Sequence, residues 1–548
     1  MRVCCAFLIL ACLVLLEPTC SFAAIRVPNG KNPTVHQDSN VNSREKTADY
    51  WYDIAQNFLE KAKLRKPNTN VAKNVILFLG DGMSVPTVTA ARIYAGGESY
   101  QLSFEKFPYT GVSKTYCLDR MVSESTSTAT AYLAGVKANR YTSGLTGAVK
   151  IGDCAGSLLP ENQVPSIAAW SQKAGKWTGL VTTTRVTHAS PAGLFSHTAH
   201  KEWESDADAA NHWKYPSNCQ DIARQLIENE VGSNFHVIMG GGRNKMIPKD
   251  VKDDEGKVGK RADGRNLIEE WQKRKAEEKK NYQYVWNRKQ LLKINDTIDY
   301  LLGLFENDMC KYHVDRDPEM DPTLEEMTEA AIKILSKSPK GYFLFVEGGM
   351  IDQAHHFNKA GKALDETVEF AKAIRRATEL TKEDDTLIVV TADHAHTMNI
   401  GGYPERGQDI LKLSNFSDVL PIAGPVPVLT YANGPGFKVT NNGTLYNFTA
   451  DNIDMDYQYP GLYKTVVETH GGDDVLIYAK GPWSHLFQGV MEQNTIPHLM
   501  AYASCVGSKS TACNDGFTPS SSSVFSCNFV IIYFSQLLLF FSYFLVKL

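Results

Sequence analysis

The sequence predicts an α/β fold built on a buried, parallel sheet. Two observations carry that expectation. Asn74-Val75-Ile76-Leu77-Phe78-Leu79-Gly80, Gly341-Tyr342-Phe343-Leu344-Phe345-Val346 and Thr386-Leu387-Ile388-Val389-Val390-Thr391 are continuous apolar runs without the alternation of a half-exposed strand. Both faces of such a run belong in a core, as in parallel sheets. Between the last two runs, Leu364, Val368, Ala371, Ile374 and Leu380 recur at helical spacing. Strand, helix, strand is a βαβ unit.

The chain has 548 residues, room for one large domain with insertions or for two or three ordinary ones. It is 43% hydrophobic and 22% charged, a globular composition, and its net charge of −4 argues against a nucleic-acid partner. Both ends read as processing signals. Met1-Arg2, an apolar run from Val3 to Leu16, and Ser21-Phe22-Ala23 form a secretory signal peptide over 1–23, cut after Ala23 or Ala24. Asn514-Asp515-Gly516, the serine run Ser520 to Ser523 and an apolar tail from Phe529 to Leu548 form a glycosylphosphatidylinositol (GPI) attachment signal over 514–548. Asn514, Asp515 and Ser520 are the candidate attachment residues. A tail-end transmembrane helix is the alternative; no basic segment follows the tail, which weighs against it. The expected location is the cell surface, on the outer leaflet. Of eleven cysteines, Cys117, Cys154, Cys219, Cys310, Cys505 and Cys513 lie between the two signals, and an oxidising compartment would pair some of them.

In chain order, residues 24–48 are polar and read as a loose arm. Tyr50, Ile54, Phe58 and Ala62 are spaced by four, predicting a helix from Tyr50 to Leu64 that stops at Lys66-Pro67-Asn68. The first strand ends in Asp81-Gly82. Ligands collect at the carboxyl ends of strands in open α/β sheets, so Asp81 is a metal-ligand candidate as well as a turn residue. Val122-Ser123-Glu124-Ser125-Thr126-Ser127-Thr128-Ala129-Thr130 runs into Ala131-Tyr132-Leu133-Ala134, the pattern of a helix mouth. Hydroxyl residues cap such a start and its open end attracts anions, which makes Ser125 a candidate nucleophile toward phosphorus. A strand from Gly179 to Thr183 is followed by Arg185, His188 and Ser190. Residues 249–281, dense in Lys, Asp and Glu, read as a solvated excursion.

The second apolar run leads into Glu347-Gly348-Gly349-Met350-Ile351-Asp352, with His356 one helical turn beyond Asp352. The third leads into Asp393-His394-Ala395-His396. Residues 402–465, rich in Gly, Pro and Asn and carrying sequons at Asn415, Asn442 and Asn447, read as an inserted surface subdomain; Asn295 is a further sequon. His470-Gly471-Gly472-Asp473-Asp474 precedes a strand from Val475 to Tyr478. Carboxylates and histidines repeated at strand exits suit zinc, and an oxygen-rich neighbour suits magnesium.

Several of these stretches, in this order, resemble the alkaline phosphatases, specifically the animal, membrane-anchored branch. They are Phe78-Leu79-Gly80-Asp81-Gly82-Met83, Ser125-Thr126-Ser127-Thr128-Ala129-Thr130, Val181-Thr182-Thr183-Thr184-Arg185-Val186-Thr187-His188-Ala189-Ser190-Pro191, Val346-Glu347-Gly348-Gly349, Thr391-Ala392-Asp393-His394 and Glu468-Thr469-His470. The resemblance covers about Ala48 to Cys513. It implies a catalytic domain over 24–513 with a large central, mostly parallel sheet, helices on both faces and a crown at 402–465. It implies hydrolysis of phosphate monoesters through a phosphoserine at Ser125, two zinc ions and one magnesium ion per subunit, and a homodimer embraced by the helix from Tyr50. By position, Asp352, His356 and His470 would hold one zinc, and Asp81, Asp393 and His394 the other. Asp81, Ser190 and Glu347 would hold magnesium, with His188 behind its water shell, and His396 would orient Asp352. A fourth, calcium site would use the Phe305 backbone, Glu306, Asp321 and Glu255, the last of which sits in the charge-dense stretch. Cys154 would pair with Cys219, and Cys505 with Cys513.

The chain also departs from the family pattern. Glu124 stands where the family has Asp before the nucleophile, and Thr126-Ser127 replace Ala-Gly or Ala-Thr. Ser84 replaces a Gly, and Gln353 stands where animal members often have His. The phosphate-clamping arginine falls on Lys201. Lysine offers a point charge where arginine offers a planar fork; a longer acid at Glu124 reaching a shorter base at Lys201 would compensate. The rival reading is a cell-surface binding protein on the same scaffold that turns over little. A sulfatase is disfavoured because Cys117-Leu118-Asp119-Arg120 is not C-x-P-x-R.

Overall fold

The computed structural model describes residues 43–211, 218–414, 425–438, 453–507 and Cys513. The signal peptide, the GPI segment with its attachment candidates, much of 402–465 and the sequons at Asn415, Asn442 and Asn447 lie outside the described residues. Asn295 is described and exposed. Contacts divide the chain into two compact units, one ending at Asn57 and the other starting at Phe58. The first holds a 3-10 turn at Ser43–Lys46 and the start of helix α1 (Ala48–Lys63).

The second unit is organised by one ten-stranded sheet. Its strands are β1 (Asn74–Gly80), β2 (Tyr109–Lys114), β3 (Trp177–Arg185), β4 (Val237–Gly241), β5 (Tyr282–Val285), β6 (Tyr300–Leu304), β7 (Tyr342–Gly348), β8 (Thr386–Thr391), β9 (Val475–Lys480) and β10 (Gly489–Glu492). They lie in the order β10-β2-β9-β8-β1-β7-β3-β4-β6-β5. Strand β9 runs against β2 and β8, and every other pairing is parallel. The three apolar runs form β1, β7 and β8, side by side at the centre. Along β1, Ile76 and Phe78 enter one core, while Val75, Leu77 and Leu79 enter the other. Burying each such side chain contributes roughly 1.5–3 kcal/mol, so a polar residue is excluded from either face.

Helices cover both faces. On the Phe78 side pack α3 (Leu324–Leu335), through Leu324, Met327 and Ile334, and α5 (Ala360–Leu380), through Leu364, Phe370 and Ile374. On the Leu77 side pack α2 (Ser125–Ala134), through Tyr132 and Leu133, and α6 (Ile496–Ser504), through Ile496 and Met500. A short helix α4 (Met350–His356) joins β7 to α5.

Register sets the chemistry at one edge. Gly80 is level with Gly348, and Leu79 with both Glu347 and Thr391, so Asp81 and Asp393, each two residues further on, leave the sheet at the same height, with Glu347 two residues below them on the neighbouring strand. Strand β9 is antiparallel and therefore begins at that edge, which brings the preceding His470 to it. A Cβ at Gly82, where φ is +69°, would collide with the His396 ring; only glycine allows that approach.

Strands β2, β4, β5, β6 and β10 are not evident from sequence, being short, glycine-containing or of mixed polarity. The stretch 249–281 is mostly exposed, as the solvated reading expects, but parts of it join the core. It carries a helix at Leu267–Glu277 that buries Leu267 and Trp271, and its Arg261 is fully buried against Asp221 at 3.0 and 3.1 Å. Several of its charges pair with residues outside the stretch, Lys257 with Glu306 at 3.3 Å and Arg265 with Glu228 at 2.5 Å. Within 402–465, Leu429–Gly434 and Gly461–Lys464 form a separate small sheet with Met398–Ile400. Disulfides join Cys154 to Cys219 and Cys505 to Cys513, leaving Cys117 and Cys310 as thiols. Among the described residues no helix is long and apolar enough to cross a membrane.

Candidate active site

Ser125 begins α2, and its Oγ lies 3.1 Å from His394 Nε2. The helix cap is the preceding carboxylate, with Glu124 in extended conformation. Glu124 Oε2 accepts from the Thr126 N–H at 3.0 Å. Its Oε1 accepts from the N–H groups of Ser127 at 2.9 Å and Tyr141 at 2.8 Å. The expectation of an open, anion-seeking helix mouth is corrected here: the chain's own carboxylate fills it. Burial pushes Glu124 up, but Lys201 and the three N–H groups outweigh it and hold the carboxyl below its ordinary range.

Lys201 is not reached by Glu124. Among the described residues its contact is with an aromatic face, its Nζ lying 4.8 Å from the Tyr141 ring centroid. The N–H groups of Thr126, Ser127 and Tyr141 hold the Glu124 carboxylate on the helix start, and the compensating acid–base contact is not made. Tyr141 has φ 68°, unusual for a bulky residue. Its N–H holds Glu124, and its ring takes Lys201 and, at 4.1 Å, the Arg140 guanidinium. Nothing in the sequence around Tyr141 signalled this.

At the exits of β1 and β8, Asp81, Asp393 and His394 form a fully buried cluster. His394 Nε2 is 3.1 Å from Asp393 Oδ2 and 3.6 Å from Asp81 Oδ1. The N–H groups of Gly82 and His394 fix the other Asp393 oxygen, at 3.0 and 2.9 Å. Among the described residues neither oxygen of Asp81 has a hydrogen-bond partner, nor do Ser190 Oγ, Glu347 Oε1 or His188 Nδ1, all buried atoms. Glu347 is aimed by its other oxygen, which accepts from the hydroxyls of Thr182 and, at 3.1 Å, Thr184. These two threonines alternate along β3 and so share a face. Burial and then the Asp393 carboxylate push Asp81 well above the usual range. Burial pushes Glu347 up to about 7 and Asp393 up to about 6. It holds His188 down to about 3. Orphaned, mutually repelling buried oxygens are what bound cations stabilise.

The second cluster holds Asp352, His356, His396 and His470. The spacing of Asp352 and His356 becomes one turn of α4, with His356 Nε2 3.3 Å from Asp352 Oδ2. His356 Nδ1–H donates to the Glu468 carbonyl at 2.6 Å, and His470 Nδ1–H to the Ser123 carbonyl at 2.9 Å. A carbonyl only accepts, so both rings carry their proton on Nδ1 when neutral. Two bare Nε2 atoms then face each other at 3.3 Å, with Asp352 Oδ1 3.5 Å from that of His470. Facing acceptors beside a carboxylate fit a cation between them.

His396 stands differently. Its Nε2 meets Asp352 Oδ1 at 2.6 Å and its Nδ1 meets the Glu468 carboxylate. Burial opposes its charge, but Glu468 and Asp352 outweigh it and push the imidazolium up to about 10. With both nitrogens engaged, it is placed to support Asp352. Glu468 also takes the N–H of Thr397 at 2.8 Å. Its hub position was missed, because only its place two residues before His470 could have signalled it.

The residues expected to hold calcium lie elsewhere. Phe305 and Glu306 follow β6. Glu306 and Asp321 are buried and face Lys311, while Glu255 pairs with Arg243. Among the described residues these three carboxylates do not gather into one cluster.

Against known proteins, residues 72–506 match the family model for alkaline phosphatase. The membrane-bound alkaline phosphatase of Bombyx mori is 46% identical over 476 residues, 84% of this chain and 86% of the relative. The alkaline phosphatase of Gadus morhua is 48% identical over 476 residues, 84% and 97% of the two chains. The human tissue-nonspecific isozyme is 45% identical over 490 residues, 87% and 92%. Among solved structures, alkaline phosphatase from Thermus thermophilus aligns with a TM-score of 0.58 at 21% identity, over 82% of this chain and 95% of that one. That likeness is one of fold. With two buried ligand clusters at the strand exits, beside a helix that opens on a serine, the chain belongs to the alkaline phosphatase family and is a metal-dependent phosphomonoesterase.

Proposed function

We propose that Ser125 is the nucleophile of this hydrolysis, passing through a phosphoserine with an alkaline optimum. Asp352, His356 and His470 would hold one zinc, Asp81, Asp393 and His394 a second, and Asp81, Ser190 and Glu347 magnesium, with His188 behind it. The observation that carries this reading is the pair of bare imidazole nitrogens 3.3 Å apart, next to a cluster whose His394 touches Ser125 Oγ at 3.1 Å.

When bound, divalent cations lower the pKa of a neighbouring hydroxyl and neutralise phosphate oxygens. Ser125 gives up its proton and attacks phosphorus; the Oγ–P bond forms as the bond to the departing alcohol oxygen breaks in line, and that oxygen takes a proton. Water then attacks the phosphoserine, the Oγ–P bond breaks, and inorganic phosphate leaves. Glu124 holds the first turn of α2 so that Ser125 keeps its aim. Lys201, steadied on Tyr141, offers the phosphate a single ammonium. Phosphoryl transfer rests mainly on positioning and charge neutralisation at the phosphate, so broad monoester specificity is expected.

The sequence at both ends supports a GPI-anchored protein of the outer cell surface, and the relative named membrane-bound in Bombyx mori accords with that. Exposed Trp51, Tyr52, Phe58 and Leu59 on α1 support a homodimer with this helix in the interface. Purified protein is assayed on p-nitrophenyl phosphate at alkaline pH with its metals counted. Two zinc and one magnesium ion per chain, with turnover lost in Ser125→Ala and on chelation, are expected. Turnover persisting in Ser125→Ala would refute the assignment.

A further inference from the structure

We propose that the fourth cation site implied by the family resemblance is closed in this chain by its own lysine, Lys311, and takes no calcium.

The geometry disagrees with a calcium site on three counts. Lys311 Nζ sits between the two buried carboxylates, 2.9 Å from Glu306 Oε1 and 2.7 Å from Asp321 Oδ2. That is where an ion bridging them would lie. The other Glu306 oxygen faces Lys257 Nζ at 3.3 Å. Glu255, the third expected acid, is drawn onto the buried Arg243 guanidinium and lies 3.6 Å from Lys257. Each of the three expected acids thus meets a cation, Arg243 being shared with Asp253 at 3.0 Å.

Calcium takes roughly six to eight oxygens and needs uncompensated acids. Entry of a dication would require displacing the Lys311 ammonium from its pairing with two buried carboxylates. A cavity of about 30 Å³ lined by Glu306 and Asp321 is water-sized; among the described residues Asp321 Oδ1 and Glu306 Oε1 have no hydrogen-bond partner, and the latter is met only by the Lys311 ammonium. The backbone helps hold the pair, since the Asp317 N–H donates to Asp321 Oδ2 at 2.8 Å. The position that a taken-up ion would fill between Glu306 and Asp321 is here filled by the polypeptide's own ammonium.

The test uses full-length protein stripped with a chelator, then restored with excess zinc and magnesium so that the other sites are filled. Radiolabelled calcium is offered in equilibrium dialysis up to about 1 mM, the weak end of extracellular calcium sites, and melting is followed with and without it. The expected result is no stoichiometric calcium and an unmoved Tm. Lys311→Gln, which removes the ammonium, should gain about one calcium per chain and a calcium-dependent rise in Tm. One calcium bound by the unmodified protein and lost in Asp321→Asn would overturn the proposal. So would a folded Lys311→Gln protein that still binds none. If Lys311→Gln does not fold, dialysis of the unmodified protein decides alone. These readouts are independent of turnover and of Ser125.

Discussion

At the scale of residues, the point of interest is a lysine where a fork of donors would grip phosphate. Lys201 is held by the Tyr141 ring at 4.8 Å and feels the Glu124 carboxylate without touching it. A cation–π contact of this kind is worth roughly 0.5–2 kcal/mol, enough to aim the ammonium but not to add a second donor. A charged hydrogen bond is worth about 1.5–3 kcal/mol. Lys201→Arg is therefore expected to raise kcat/KM for p-nitrophenyl phosphate by roughly tenfold or more and to tighten inhibition by inorganic phosphate. Unchanged kinetics would show that Lys201 does not meet the phosphate. A second prediction concerns Glu468, which holds His396 behind Asp352. Supports of this type change metal affinity by about 10–100-fold. Glu468→Gln should lose zinc faster to a chelator while keeping its secondary structure, as followed by a colorimetric zinc indicator and circular dichroism.

At the scale of elements, α2 depends on Glu124 for three N–H groups, one from outside the helix. Removing a cap costs about 0.5–2 kcal/mol, and here the Tyr141 N–H also loses its acceptor. Glu124→Ala should lower denaturant stability by about 2 kcal/mol and weaken kcat through Ser125; equal stability to the parent would remove the cap from the account. Helix α1 poses the opposite case. Its Trp51 is 51% exposed and its Phe58 67% exposed, although a helix of its size is marginal without packing. Phe58→Glu is expected to shift the protein toward monomer by light scattering, and a dimer that withstands it would place the interface elsewhere.

At the scale of the molecule, the buried acids couple folding to metal and pH. Without a cation, burial holds Glu347 up to about 7 and Asp393 up to about 6. Such a carboxyl keeps its proton in the folded chain after the unfolded chain has lost it. The folded state then binds more protons, so stability falls as pH rises. Buried imidazoles such as His188, held down to about 3, contribute in the opposite direction, so the test is the difference between the two forms. From pH 5 to pH 8 the Tm of the metal-loaded protein should rise relative to that of the metal-stripped protein, because protons compete for the ligands. Calorimetry of both forms across this range checks the sign, and parallel trends would refute it.

The amino-acid sequence by itself determined the central strands, because an uninterrupted apolar run such as Val75 to Leu79 can be satisfied only inside a core. It determined most of the candidate ligands too, because Asp81, Glu347, Asp393 and His394 follow those runs directly and strand exits converge in a parallel sheet. The turn joining Asp352 to His356 was legible for the same local reason. Only tertiary structure decided what depends on groups distant in sequence. The Glu124 side chain turned back onto its helix because Tyr141, 17 residues on, presents an N–H to it. His396 became a support because Glu468 claims its second nitrogen. Lys311 lies four residues before Asp315 in a loop of mixed charge, and nothing local says that its ammonium would settle between Glu306 and Asp321. Local pattern reports which side chains are available; which of them meet is settled by packing and by pairing charges once water has been excluded.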